Sequence, residues 1–271
     1  MSGSHRPDAW PIEKQQRLAF LPKVVPFWLA DRWMRRQTQG ESAREAYLAR
    51  MVFEVMWLSA GHLKHYFDHS GVEHIDQNET YVLTSLHFGH WAMYSASLNQ
   101  QFGIANQMVA TGRNIDLKHP MGHYWYHFGH TRQDLSGYPA CYSTDSIFAH
   151  LRRLREGISL VVVADVREGD FYQKEVNVRF LGERLYLQRT PALLARRAGV
   201  RILPYIGWFD EQAVRHKVQW FEPVEPVDDD QQTLQRVADL WEPVFDAHRH
   251  QYFNVWEAHT RPLVRKQRAT A

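Results

Sequence analysis

Two polar side chains stand where apolar, strand-like runs end. The run Tyr81-Val82-Leu83-Thr84-Ser85-Leu86 stops at His87, and the run from Ile158 to Ala164 stops at Asp165. In α/β sheets, ligands gather beyond the carboxyl ends of the strands, so both residues are placed for chemistry. A histidine there can serve as a general base near neutral pH, because its unperturbed pKa is about 6.5. His90 follows in the same short turn, His87-Phe88-Gly89-His90-Trp91, and is a candidate to assist or replace His87. The bland alternative for either ring is closing a turn or packing as a polar core residue.

The remaining chemistry-bearing residues are less pointed. Among the 16 histidines, His119, His123, His127 and His130 are spaced for one helical face, and His62, His65 and His69 form a similar ladder. Spacing of four suits a pair of metal ligands, but no glutamate follows His123 as in His-Glu-x-x-His peptidases. A metal-dependent hydrolase is therefore the minor reading, and no metal site is expected. The lone Cys141 excludes an internal disulfide framework and a Cys-built zinc site. It has no charged activator beside it in sequence, so packing is its expected role. No phosphate-loop, dinucleotide or Gly-x-Ser-x-Gly signature occurs.

Alternating elements must hold these residues. Apolar residues at spacings of three and four predict a helix over Ser42 to Phe67. After the polar break Glu73 to Glu79 come the His87 strand and a helix through Met93, Ser97 and Leu98. Ser146 to Arg155 reads as a helix, followed by the Asp165 strand. Pro191 to Ala198 reads as a helix closed by Gly199, then a strand over Ile202 to Ile206. Val214 to Phe221 reads as a further strand, and Gln231 to His248 as the last long helix. Strands alternating with helices predict an α/β fold, a single domain with a central mixed sheet flanked by helices.

Composition bounds the function. The 44% hydrophobic content excludes a disordered chain, and a formal charge of +2 argues against nucleic acid as a partner. No stretch reaches the ~18 apolar residues of a spanning helix, and the N-terminus lacks a signal-peptide pattern. The charge is unevenly spread, with a net of +4 over residues 1–50, −5 over 51–255 and +3 over 256–271. Leu18 to Ala30 is apolar but broken by Pro22, Lys23 and Pro26, and Arg32, Arg35 and Arg36 follow. Rings beside arginines suit a membrane interface. Residues 1–40 are accordingly read as a basic, aromatic membrane-contact segment facing an anionic membrane surface, and residues 41–271 as the α/β domain.

His87-Phe88-Gly89-His90-Trp91 resembles the histidine motif of the bacterial lipid A late acyltransferases, the lauroyl and myristoyl transferases. Gly112-Arg113-Asn114 resembles the arginine segment of that family, and Leu160 to Asp165 its buried strand ending in aspartate. Val176 to Gly182, Thr190 to Pro204, and Tyr252-Phe253-Asn254-Val255-Trp256 resemble its later segments in the right order. The resemblance covers roughly residues 40–258. It implies a lysophospholipid-acyltransferase-like fold and transfer of an acyl or aminoacyl group from a carrier-protein thioester to a lipid A-type glycolipid. The implied partners are an acyl or peptidyl carrier protein and lipid A. The phosphopantetheine thioester is a co-substrate, and no other cofactor is implied. The resemblance also implies an N-terminal membrane-spanning anchor, which this sequence does not show, so peripheral attachment to the cytoplasmic face of the inner membrane is expected instead, through residues around Leu18–Arg36.

The resemblance assigns the base to His87 and phosphate binding to Arg113. Trp91 and Arg167 are further candidates for substrate contact. It also implies an acid five positions after the histidine, yet Ala92 stands there and Phe88–Gln100 holds no carboxylate. Three accounts compete. A carboxylate distant in sequence reaches His87, with Asp165 the first candidate ahead of Asp116 and Glu175. Alternatively, an amine nucleophile or aminoacyl donor needs less activation, as in the family branch that transfers glycine to lipid A. Or the chain is an inactive homologue that only binds lipid.

Overall fold

The computed structural model describes residues 66–110, 138–143, 145–166, 175–252 and 260–262, with positions 32, 36, 39, 40, 42, 47, 50 and 136. The predicted N-terminal contact segment and both longer histidine ladders lie almost entirely outside these residues. Its strands are β1 (Phe67–Ser70), β2 (Tyr81–Ser85), β3 (Asn106–Ala110), β4 (Cys141–Tyr142), β5 (Ser159–Val163), β6 (Glu175–Phe180), β7 (Glu183–Gln188), β8 (Arg201–Asp210), β9 (Arg215–Trp220) and β10 (Thr260–Pro262). The helices used below are α1 (Trp91–Phe102), α2 (Ile147–Arg155), α3 (Thr190–Ala198) and α4 (Asp230–Ala247).

Seven strands form one sheet in the order β1-β9-β8-β2-β5-β3-β4. Its pairs are parallel except β8 with β9, so the sheet is mixed. The strands β2 and β5 are buried along their whole length, which is why they read as near-continuous apolar runs. Helix α1 packs on one face, with Met93, Tyr94 and Leu98 against Leu83, Val161 and Leu203. Helices α2, α3 and α4 cover the other, with Leu151, Leu194 and Val237 among the residues clustered with Val82, Leu160 and Ile202. A smaller antiparallel sheet, β10-β7-β6, lies beside α4, and Phe180, Leu185 and Leu187 join the second core.

Two expectations are corrected. The helical pattern predicted through Phe67 stops before it, since Phe67 opens β1 and pairs in parallel with His216 on β9. His69 therefore sits on a strand, not on a helical ladder. Its Nδ1 accepts from the Trp220 indole at 2.9 Å, and its Nε2 lies 3.2 Å from Ser97 Oγ. Burial lowers its pKa to about 4, which favours the neutral packing ring seen here. The third predicted strand is also longer, because β8 runs ten residues to Asp210 and curls into the antiparallel partner β9. The 175–188 hairpin was not foreseen as a sheet. Its tight turn places both Leu181 (φ 52°) and Gly182 (φ 76°) at positive φ, as a type I′ connection requires.

Candidate active site

The register of the two central strands brings the predicted residues together. Strand β2 pairs with β5 in parallel, Val82 opposite Leu160 through Ser85 opposite Val163. The same offset carried two residues beyond each strand sets His87 opposite Asp165. The ladder continues into this region, since Ala164 N–H donates to Ser85 O at 2.9 Å. At the strand ends, Asp165 Oδ1 accepts from the His87 backbone N–H at 2.9 Å and lies 2.8 Å from His87 Nδ1. Asp165 is 1% exposed, whereas the His87 side chain is 15% exposed. The carboxylate is buried and the imidazole reaches the surface.

The carboxylate has a third partner that the sequence did not single out. Tyr252 Oη donates to Asp165 Oδ2 at 2.6 Å. Both carboxylate oxygens thus accept hydrogen bonds, which offsets the cost of burying a charge. With the Nδ1 proton donated to Asp165, the basic lone pair of the imidazole is on Nε2. A proton would be taken there.

The turn that carries His87 is fixed by packing on each side. Phe88 is fully buried against Phe245, ring centroids 5.1 Å apart, and a buried phenyl contributes about 2–3 kcal/mol. Gly89 has φ 58°, and a Cβ there would lie 2.3 Å from the Gly207 carbonyl oxygen and 2.5 Å from the Tyr94 hydroxyl. Only glycine fits that corner. The chain then enters α1, whose first residue Trp91 sets its ring edge-on to the His87 imidazole at 4.7 Å. Trp91 is itself held, since its backbone oxygen accepts from Tyr205 Oη at 2.8 Å. Ala92 follows in the first turn of α1.

The structure sends His90 elsewhere. It precedes α1 as the N-cap residue, is 1% exposed, and meets the His216 ring edge-on at 5.1 Å. His216 is buried among Tyr66, Phe67 and Phe209 and lies 2.7 Å from Tyr94 Oη. Of the other candidate acids, Glu175 opens β6 opposite Gln188, and Asp116 lies outside the described residues. Arg113 and Arg167 also lie outside them. Cys141 is buried, with Sγ 3.4 Å from the Met108 carbonyl and 3.9 Å from His150. Among the described residues no group of three His, Cys, Asp or Glu converges as a metal site.

The missed residues, Tyr252 and Gln251, left only a faint trace in the sequence. The Tyr252–Trp256 segment reads as a closing aromatic motif, and its one phenol was the only sign of a polar task. Gln251 holds the segment in place. Its backbone oxygen accepts from Gly89 N–H at 3.1 Å, and its amide bonds both the N–H (2.7 Å) and the carbonyl (2.9 Å) of Phe209.

The profile of the bacterial lipid A biosynthesis acyltransferases matches residues 40–257, most of the chain. No curated protein is significantly similar in sequence. Among solved structures, the 1-acyl-sn-glycerophosphate (LPA) acyltransferase PlsC from Thermotoga maritima is similar at 12% identity, over 86% of this chain and 93% of that one. Its TM-score is 0.41, too low to carry an argument about this site. The matched profile suffices: the chain belongs to the bacterial lipid A biosynthesis acyltransferase family and is an acyltransferase.

Proposed function

From that membership, we propose that the His87–Asp165 pair transfers an acyl group from a carrier-protein thioester to a hydroxyl of a lipid A-type glycolipid. The observation that carries this reading is the 2.8 Å contact between His87 Nδ1 and Asp165 Oδ1. It supplies, from a neighbouring strand, the acid that Ala92 removes from the histidine motif. His87 Nε2 takes the acceptor hydroxyl proton as the oxygen attacks the thioester carbonyl. The tetrahedral intermediate then collapses, the C–S bond breaks, and the imidazolium returns its proton to the leaving thiolate. Asp165 stabilises the imidazolium between these two steps and holds the ring in the productive tautomer. Arg113, by the resemblance, binds a phosphate of the acceptor or of the pantetheine arm through its forked donors. Arg167 is a further headgroup contact in the loop after Asp165. His90 packs, and the Trp91 ring walls the imidazole.

With Asp165 in this role, Ala92 requires neither an aminoacyl donor nor a decayed site. Fatty acyl transfer is the simpler reading. Mass spectrometry of lipid A from cells with and without the protein tests it. A mass increase matching a fatty acyl chain is expected. A glycyl increase would reassign the donor, and an unchanged lipid profile would overturn transfer in favour of a lipid-binding homologue.

No helix among the described residues is long and apolar enough to cross a membrane. The enzyme acts on a lipid, so it must meet a lipid surface. We assign that contact to the region around Leu18–Arg36 on the cytoplasmic face of the inner membrane. Flotation on anionic liposomes at low salt should carry the protein upward, with loss of binding at high salt. Protein that stays at the bottom of the gradient at low salt counts against the assignment.

A further inference from the structure

Residues 249–252 come from the far end of the described chain, yet they touch three of the strand ends that build the site. The Tyr252 backbone bridges Phe88 in the turn after β2. Gln251 receives Gly89 N–H from that same turn and pairs its amide with Phe209 on β8. The Tyr252 hydroxyl reaches Asp165 beyond β5. The phenol ring is 3% exposed and packs on Phe245 at 5.1 Å. A buried phenol needs a hydrogen-bond partner, and the partner chosen here is the carboxylate that also meets His87.

We propose that Tyr252 is a positioning residue that acts through Asp165, setting both the orientation of the carboxylate and the charge it presents to His87. This rests on the catalytic reading of the pair given above. Each carboxylate oxygen has its own donors. Oδ1 faces the His87 amide and ring, and Oδ2 faces the phenol. The phenol thereby prevents rotation of the carboxylate about its Cβ–Cγ bond. It also draws negative charge toward Oδ2, away from the imidazole. Among the described residues, the groups meeting the imidazole are Asp165 from the β5 end and the uncharged Trp91 ring from α1. The phenol is thus the adjustable partner of the pair.

Tyr252→Phe keeps the ring on Phe245 and the backbone bridge to Phe88, and deletes only the hydroxyl. In this variant Asp165 presents more charge to His87, so the imidazolium is better stabilised. The His87 ring resonances should titrate at higher pH than in the unaltered protein, with the peak assigned by its loss in His87→Ala. In the transfer assay kcat should fall about tenfold, with KM within about twofold, because the carboxylate is less well oriented. The acid limb of the rate profile should move the same way as the resonance. Incorporating 3-fluorotyrosine at position 252 strengthens the donor and should move the titration to lower pH. It tests the idea even where the phenylalanine variant folds poorly. An unchanged His87 titration in both variants overturns the proposal. The resonance needs no turnover, so a missing transfer activity would sink the proposed function while leaving the Tyr252 coupling separately measurable.

Discussion

Replacing His87 by Ala should reduce lipid modification by about a thousandfold or more, within the range for loss of a general base. The fold should persist. The His87 backbone N–H still donates to Asp165 Oδ1, and Tyr252 still donates to Oδ2, so the buried carboxylate keeps a donor on each oxygen. The ring is at the site's surface, and its removal opens space toward solvent beside Trp91, without hollowing the core. The stability loss should be about 1 kcal/mol, or roughly 2–4 °C in Tm for a chain of this size. Lipid mass spectrometry with a parallel thermal melt distinguishes the two effects. Full activity in a stably folded His87→Ala protein would remove the mechanism, whatever the family.

How much of this site could be read from the chain depended on where each residue's partner lay. Strands β2 and β5 are buried on both faces, so they stood out as apolar runs, and the polar residues ending them were visible as such. The strand pairing that joins His87 to Asp165 is a property of sheet order, which no local pattern encodes. It could be anticipated only from the rule that strand ends gather ligands. Strand β1, Phe-Asp-His-Ser, was illegible because its burial depends on tertiary neighbours. Asp68 is satisfied by Arg215 at 2.8 Å and Lys217 at 2.7 Å, both from β9. The polar start of β3 was hidden for the same reason, since the Asn106 amide donates to the Ile104 carbonyl and the Gln107 amide to that of Pro139. Tyr252 could be read only as part of an aromatic segment, with nothing to indicate its partner. It lies 87 residues from Asp165, and its task shows only when the chain end folds back across the sheet.

The absence of an acid five positions after His87 also changes meaning once the sheet is known. An acid at that position would lie on α1, beside the histidine in sequence. Asp165 instead lies two residues beyond the neighbouring strand β5, placed by the β2–β5 ladder and by the bond from the His87 amide to the same oxygen that meets the ring. The carboxylate is thus held at the ends of two strands that are wholly buried. A site that had lost its function would have little reason to keep a buried carboxylate supplied with three donors, since an unneeded buried charge is costly.

Asp165→Asn isolates the charge of that carboxylate from its shape. The amide is nearly isosteric, and two orientations compete. With its oxygen toward His87, it still accepts from the backbone amide and from the Nδ1 proton, while the Tyr252 hydroxyl turns to accept from the new NH2. With the NH2 toward His87, two donors would face each other, because the backbone N–H points at that same position. The first orientation is favoured, so the productive tautomer survives. What is lost is the negative charge that stabilises the imidazolium. Losing about 3–4 kcal/mol of transition-state stabilisation lowers kcat some hundred- to thousandfold. The acid limb of the rate profile should shift to lower pH, opposite in sign to Tyr252→Phe, since the imidazolium has lost its counter-charge. A loss near ten-thousandfold would point to the flipped amide and a trapped tautomer. Unchanged kcat with an unmoved pH profile would show that Asp165 holds the turn together but takes no part in the transfer.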